Sequence, residues 1–115
     1  MRPDAPALLW DARNDGRSVQ AFLAGVHLDD YLANDLIRSA IERQLTIIGE
    51  ALNRLSRLDP QTASSITDLE RIVAFRNLLV HGYSTIDDAL VWQLATSRLP
   101  ALIAELDALL ATVEG

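Results

Sequence analysis

The chain contains no cysteine and no lysine. Without cysteine there can be no disulfide and no thiolate-bound metal. Without lysine there can be no Schiff base and no lysine cradling a phosphate; all ten basic residues are arginine. Aromatic residues make up only 5% of the chain, and Trp10 and Trp92 read as packing residues rather than base-stacking platforms. No apolar run approaches the ~18 residues that a membrane span requires. The segment Met1-Arg2-Pro3-Asp4 lacks a long apolar region and a cleavage pattern, so the cytoplasm is the expected compartment. Strand-like alternation, hairpin signals and repeats are missing, as are a glycine-rich phosphate loop, a Gly-x-Ser-x-Gly elbow and a His-Glu-x-x-His pair.

What is present is short, apolar and acidic. With 115 residues the chain fits one domain, residues 1–115, and half of it is hydrophobic, which excludes disorder. A chain of this size buries roughly two-thirds of its unfolded surface and needs no covalent staple. The net charge of -6 disfavours a broad basic groove for nucleic acid, while leaving room for a local arginine cluster.

Helical periodicity dominates. Leu8, Ala12, Val19, Phe22, Leu23 and Val26 recur at three- and four-residue steps, between Asp4 and Pro6 at the start and Gly25 at the end. Asp29 suits the cap of a short helix or turn reaching Leu32. From about Asn34 to Arg57, Ile37, Ile41, Leu45, Ile48, Leu52 and Leu55 form one stripe. Gly49 interrupts it at a cost of about 1 kcal/mol relative to alanine, which predicts close approach of another backbone. Asp59-Pro60 marks a break with Pro60 in a first turn. Thr67-Asp68-Leu69-Glu70 reads as a capping box for a helix that ends near His81, where Gly82 suits a left-handed terminator. Thr85 or Asp87 opens a last helix with Ala95, Leu99, Leu102, Leu106, Leu109 and Val113 on one face and a kink at Pro100. The predicted fold is all-α: an antiparallel four-helix up-and-down bundle with short extra helices. The last stripe would serve a homodimer or a monomer core equally.

The residues able to carry chemistry gather before Gly82. His81 at a helix C-terminus, where the dipole favours imidazolium, can act as acid or base near neutral pH. Arg76 can bind a phosphate and stabilise developing charge. Asn77, four residues before His81, shares its face. Five residues separate Arg76 from His81, about 140° on an ideal helix. The two converge on one phosphate only if the helix loosens near its end or a second subunit completes the site. Spacing alone favours a plain helix end over catalysis, with His81 capping carbonyls and Arg76 paired to a carboxylate. Glu70 reads as a capping residue, and Glu50 as a partner for an arginine or a solvated position. His27 with Asp29 and Asp30 reads as a turn with helix-start aspartates rather than a metal site; no metal or cofactor is expected.

Arg76-Asn77-Leu78-Leu79-Val80-His81-Gly82-Tyr83 resembles the Arg-x4-His-x-Tyr motif of the HepT-like branch of the HEPN superfamily. Three further stretches are similar, in order. Ile41 to Ala51 resembles the family's long-helix signature, Ile86-Asp87 with Val91-Trp92 the start of its last helix, and Leu99-Pro100 its mid-helix proline. The resemblance runs over roughly residues 7 to 111. It departs at Ser65 to Glu70, where a Pro-Trp pair is usual, at Ala74-Phe75 and at Ser84-Thr85.

The resemblance implies an all-α homodimer whose two motifs face one composite cleft, and a metal-independent ribonuclease toxin of a toxin–antitoxin pair. It implies attack of an RNA 2′-hydroxyl on the adjacent phosphate, with His81 as general acid/base, Arg76 stabilising the phosphorane and Asn77 orienting. It also implies a cognate MntA-type nucleotidyltransferase antitoxin that transfers AMP to Tyr83. Two other accounts stand beside it. One is a non-catalytic module that pairs with a nucleotidyltransferase. The other is a plain bundle, in which Arg76 is bound to a carboxylate of its own subunit.

Overall fold

The three- and four-residue spacing of apolar side chains becomes helix throughout. The computed structural model describes residues 1–82 and 86–114. In chain order the elements are α1 (Ala5–Leu23), α2 (Leu28–Ala33), α3 (Asp35–Leu58), α4 (Pro60–Ala63), α5 (Leu69–His81), α6 (Asp88–Gln93), a π-helical turn (Leu94–Arg98) and α7 (Leu99–Glu114). No strand occurs among the described residues. Since α6, the π turn and α7 run on without a break, four long helical runs make an all-α bundle, as expected. No helix among the described residues is long and apolar enough to cross a membrane.

The helix boundaries follow from local chemistry. Pro6 stands in the first turn of α1, where its missing N–H leaves nothing unpaired, and Gly25 follows the helix with a φ of +75°. Asn34 Oδ1 accepts the Ile37 N–H at 3.1 Å to open α3, and Asp87 Oδ1 accepts the Leu90 N–H at 3.2 Å to open α6. Thr85, the other start considered for the last helix, lies outside the described residues. Asp59 opens α4 by accepting the Thr62 N–H at 3.1 Å, and Pro60 occupies the first turn.

Two expected caps are replaced. The cap of α2 is His27 rather than Asp29: Asp30 accepts the His27 N–H at 3.0 Å, which leaves Asp29 inside the first turn. The capping box at Thr67 does not form either. Asp68 adopts a left-handed φ of 58°, and Thr67 donates its N–H and its hydroxyl to Glu105 Oε2 of α7, at 3.0 and 3.1 Å. A carboxylate from another helix thus takes the role assigned to Glu70.

The core forms where α1 packs on α3 and α7. Leu9, Ala12 and Val19 of α1 meet Ile41, Ile48, Leu52 and Leu55 of α3 and Leu99, Leu106 and Leu110 of α7, all buried. Each large aliphatic among them contributes about 1.5–3 kcal/mol on burial. Trp92 packs on the buried Tyr31 with ring centroids 5.4 Å apart. Trp10 does not pack as expected: it is half exposed, because it lies one position, about 100°, around α1 from the buried Leu9.

The last helix bears out the stripe through Leu109, which is partly buried against the core, and departs from it at Val113. Leu110 is buried, while Val113 is exposed. Pro100 produces a widened turn rather than a simple kink: the Leu99 N–H bonds to the Leu94 carbonyl five residues back, directly before the proline that cannot donate.

Candidate active site

The α5 helix stands at the edge of the bundle. It packs on α3, and none of its residues is fully buried. Ile72, Phe75 and Leu79, at helical spacing, lie against the core. Arg76, which follows Phe75, shares that side.

The reason for Gly49 is found here. A Cβ placed on Gly49 would collide with the Cβ of Arg76 and lie 2.7 Å from its Cγ and 3.6 Å from its Cα. The helices approach so closely at this height that the stem of Arg76 occupies the space of the absent side chain. The close approach predicted from an isolated mid-helix glycine is therefore observed, and its partner is Arg76 itself.

With the stem pinned on α3, the guanidinium meets two neighbours. Its Nη2 donates to Glu50 Oε1 at 3.2 Å, and its Nη1 donates to Asn77 Oδ1 at 2.8 Å. The Nε is buried and has no hydrogen-bond partner among the described residues. The ion pair is open to solvent, with the two side chains 23% and 45% exposed. A carboxylate partner in the same subunit was the mark of the plain-bundle account, and that contact is present. It engages the guanidinium at a single point, however, so other N–H groups of Arg76 keep their capacity to donate.

His81 is the last residue of α5 and is exposed. The helix keeps its form to that end, where the Gly82 N–H bonds to the Leu78 carbonyl at 2.6 Å. Gly82 has φ -79°, a right-handed value, so the left-handed terminator expected there does not form. Since α5 does not loosen, Arg76 and His81 keep the roughly 140° separation of a regular helix. Asn77 bridges part of that gap. It lies on the His81 side, four residues earlier, and its bond to Nη1 holds the guanidinium from that side. The structure thus brings Arg76, Asn77 and Glu50 together and leaves His81 at the helix end. Tyr83 lies outside the described residues.

Glu50 is the member that sequence reading left undecided between an arginine partner and a solvated residue. The signal was available: an acid beside a glycine that admits another helix is placed to meet whatever that helix carries.

A profile of the family described as "Ribonuclease HepT-like" matches residues 15–109. A protein of Methanocaldococcus jannaschii named as a proposed RNase, MJ1380, is 30% identical over 104 residues, 90% of this chain and 94% of the relative. A second from that organism, MJ1216, named in the same way, is 24% identical over 112 residues, 97% of this chain and 92% of the relative. A similarly named protein of Caldanaerobacter subterraneus subsp. tengcongensis, TTE0752, is 27% identical over 78 residues, 68% of this chain and 69% of the relative. No solved structure shows a significant match. The profile spans most of the chain, the described residues form an all-α bundle, and the chain belongs to the HepT-like ribonuclease family of HEPN proteins.

Proposed function

We propose that the chain is a metal-independent endoribonuclease acting in the cytoplasm as the toxin of a toxin–antitoxin pair. Family membership supports ribonuclease-type function. The observation that carries the chemistry is Arg76, pinned on Gly49 and held between Glu50 and Asn77 with donors to spare, beside a helix that ends in His81. In the proposed step the RNA 2′-oxygen attacks the adjacent phosphorus and loses its proton to a neutral imidazole. The bond from phosphorus to the 5′-oxygen breaks, an imidazolium protonates that leaving oxygen, and a 2′,3′-cyclic phosphate remains. Arg76 stabilises the charge that gathers on the phosphorane, and Asn77 orients it.

A homodimer suits this chemistry. The regular form of α5 keeps Arg76 and His81 apart within one subunit, so a facing copy would supply the opposing His81 of a composite cleft. Tyr83 is the proposed acceptor of AMP from a nucleotidyltransferase antitoxin, and phosphates added there would repel RNA. The test is cleavage of RNA in EDTA by the parent, Arg76→Ala and His81→Ala proteins. The parent alone is expected to cut, leaving cyclic phosphate ends. Equal cutting by all three would remove these residues from the mechanism.

The second account, a non-catalytic partner of a nucleotidyltransferase, draws support from the Arg76–Glu50 pair, which offsets the arginine's charge. It predicts no cutting by parent protein whose Tyr83 is free by mass spectrometry.

A further inference from the structure

We infer that Glu50 is a positioning residue: its carboxylate fixes the Arg76 guanidinium in the pose that receives the RNA phosphate and transfers no proton itself. The identity of the anion rests on the ribonuclease reading above. The positioning rests on the geometry of α3 and α5 alone.

The stem of Arg76 has no freedom to retreat. Its Cβ and Cγ fill the space over Gly49, so the side chain leaves α5 in one direction, across α3. The next residue along α3 after Gly49 is Glu50, and the head of the arginine reaches it at 3.2 Å through Nη2. Asn77 holds Nη1 at 2.8 Å from the other side. Nε, buried and without a partner among the described residues, contributes nothing to the orientation of the head. The plane of the guanidinium is therefore set by its two terminal contacts, and only Glu50 supplies a charge. Without it, a neutral amide alone would hold a guanidinium free to turn about the torsions beyond Cγ.

The same geometry decides between a holder and a blocker. A blocker would have to be displaced, with the arginine swinging away to meet its phosphate. The stem packed over Gly49 restricts that swing to the torsions beyond Cγ, which Glu50 and Asn77 set. Glu50 touches the guanidinium through one oxygen at a site open to solvent, where screening weakens the neutralisation of charge. The phosphate is received beside Glu50, by the N–H groups that Glu50 and Asn77 leave unused. A fixed, partly satisfied donor array is what stabilises charge without reorganisation at the moment of reaction.

The experiment compares parent, Glu50→Ala and Glu50→Gln. Steady-state cleavage of a single-site oligoribonucleotide is measured across pH, and the Arg76 side-chain N–H signals are followed by NMR. Melting curves confirm folding, which this half-exposed residue does not govern. Glu50→Ala is expected to lower kcat on the order of a hundredfold with a much smaller change in KM. Glu50→Gln keeps an acceptor oxygen in place and is expected to recover to within about tenfold of the parent, with the acid limb of the pH profile unmoved. If Glu50→Gln is as slow as Glu50→Ala and the acid limb vanishes, Glu50 moves a proton and the inference is wrong. It is equally wrong if either variant is faster than the parent. Should the parent cut no RNA, the ribonuclease reading fails by itself and the NMR decides the rest. Resolved Arg76 signals in the parent and Glu50→Gln proteins, averaged in Glu50→Ala, uphold positioning; averaged signals in the parent overturn it.

Discussion

Gly49 and Arg76 form one structural unit, although they belong to different helices. Replacing Gly49 with alanine tests this directly. Alanine is the better helix former by about 1 kcal/mol. Its methyl group would have to enter the space of the Arg76 stem, and overpacking of this kind costs about 1–3 kcal/mol. Gly49→Ala is therefore expected to lower stability in urea denaturation and to reduce RNA cleavage together. A variant as stable and as active as the parent would show that the stem does not depend on this contact. The glycine was legible in the sequence, because a mid-helix glycine without a turn demands a close neighbour. The Arg76–Asn77 bond was not, because consecutive helical residues point about 100° apart and only the length of an arginine spans them.

Among elements, the junction of α3 and α4 is tied by a single carboxylate. Asp59 accepts the Arg2 N–H at 2.8 Å, the Thr62 hydroxyl at 2.7 Å and the Thr62 N–H at 3.1 Å. These bonds, that from Arg2 first, lower its carboxyl pKa from 3.8 to about 2. The unfolded chain then binds the proton more readily than the folded one. The contribution to stability is fully present above the ordinary value of 3.8 and disappears as pH falls through about 2. Asp59→Asn is expected to melt earlier than the parent near neutral pH, with the difference shrinking as the pH approaches 2. A constant difference across that range would mean that the charge is not what holds the junction. This element could be read in advance because its cap and its proline are adjacent. The start of α5 could not, because the acceptor for Thr67 is Glu105, 38 residues further on in another helix.

For the whole molecule, the apolar stripe of the last helix no longer offers itself to a second copy. Leu99, Leu102, Leu106 and Leu110 are buried within the monomer. Periodicity could not decide this, since a core and a dimer seam use the same spacing. Exposed apolar side chains remain on several helices, among them Trp10, Phe22, Leu36 and Leu90; the one beside the candidate site is Leu78 of α5, 40% exposed, with Val73 and Val80 partly so. In the proposed dimer each chain would carry a net charge of -6, so apolar contact would have to offset the repulsion between the copies. Leu78→Glu is expected to weaken a dimer by roughly thirtyfold, on the scale of a central apolar anchor, and cleavage should fall with it. Sedimentation across a concentration series checks the first effect; an unchanged dimer would place the interface elsewhere.

The edge position of α5 also bears on how the molecule comes apart. The core of α1, α3 and α7 closes without any fully buried residue from α5. A helix supported along one side opens at a lower free energy than the core it leans on. The helix that carries Arg76, Asn77 and His81 is thus expected to open more readily than the core of α1, α3 and α7. A partner that grips its outer face would govern the protein by controlling whether its chemical groups are assembled at all.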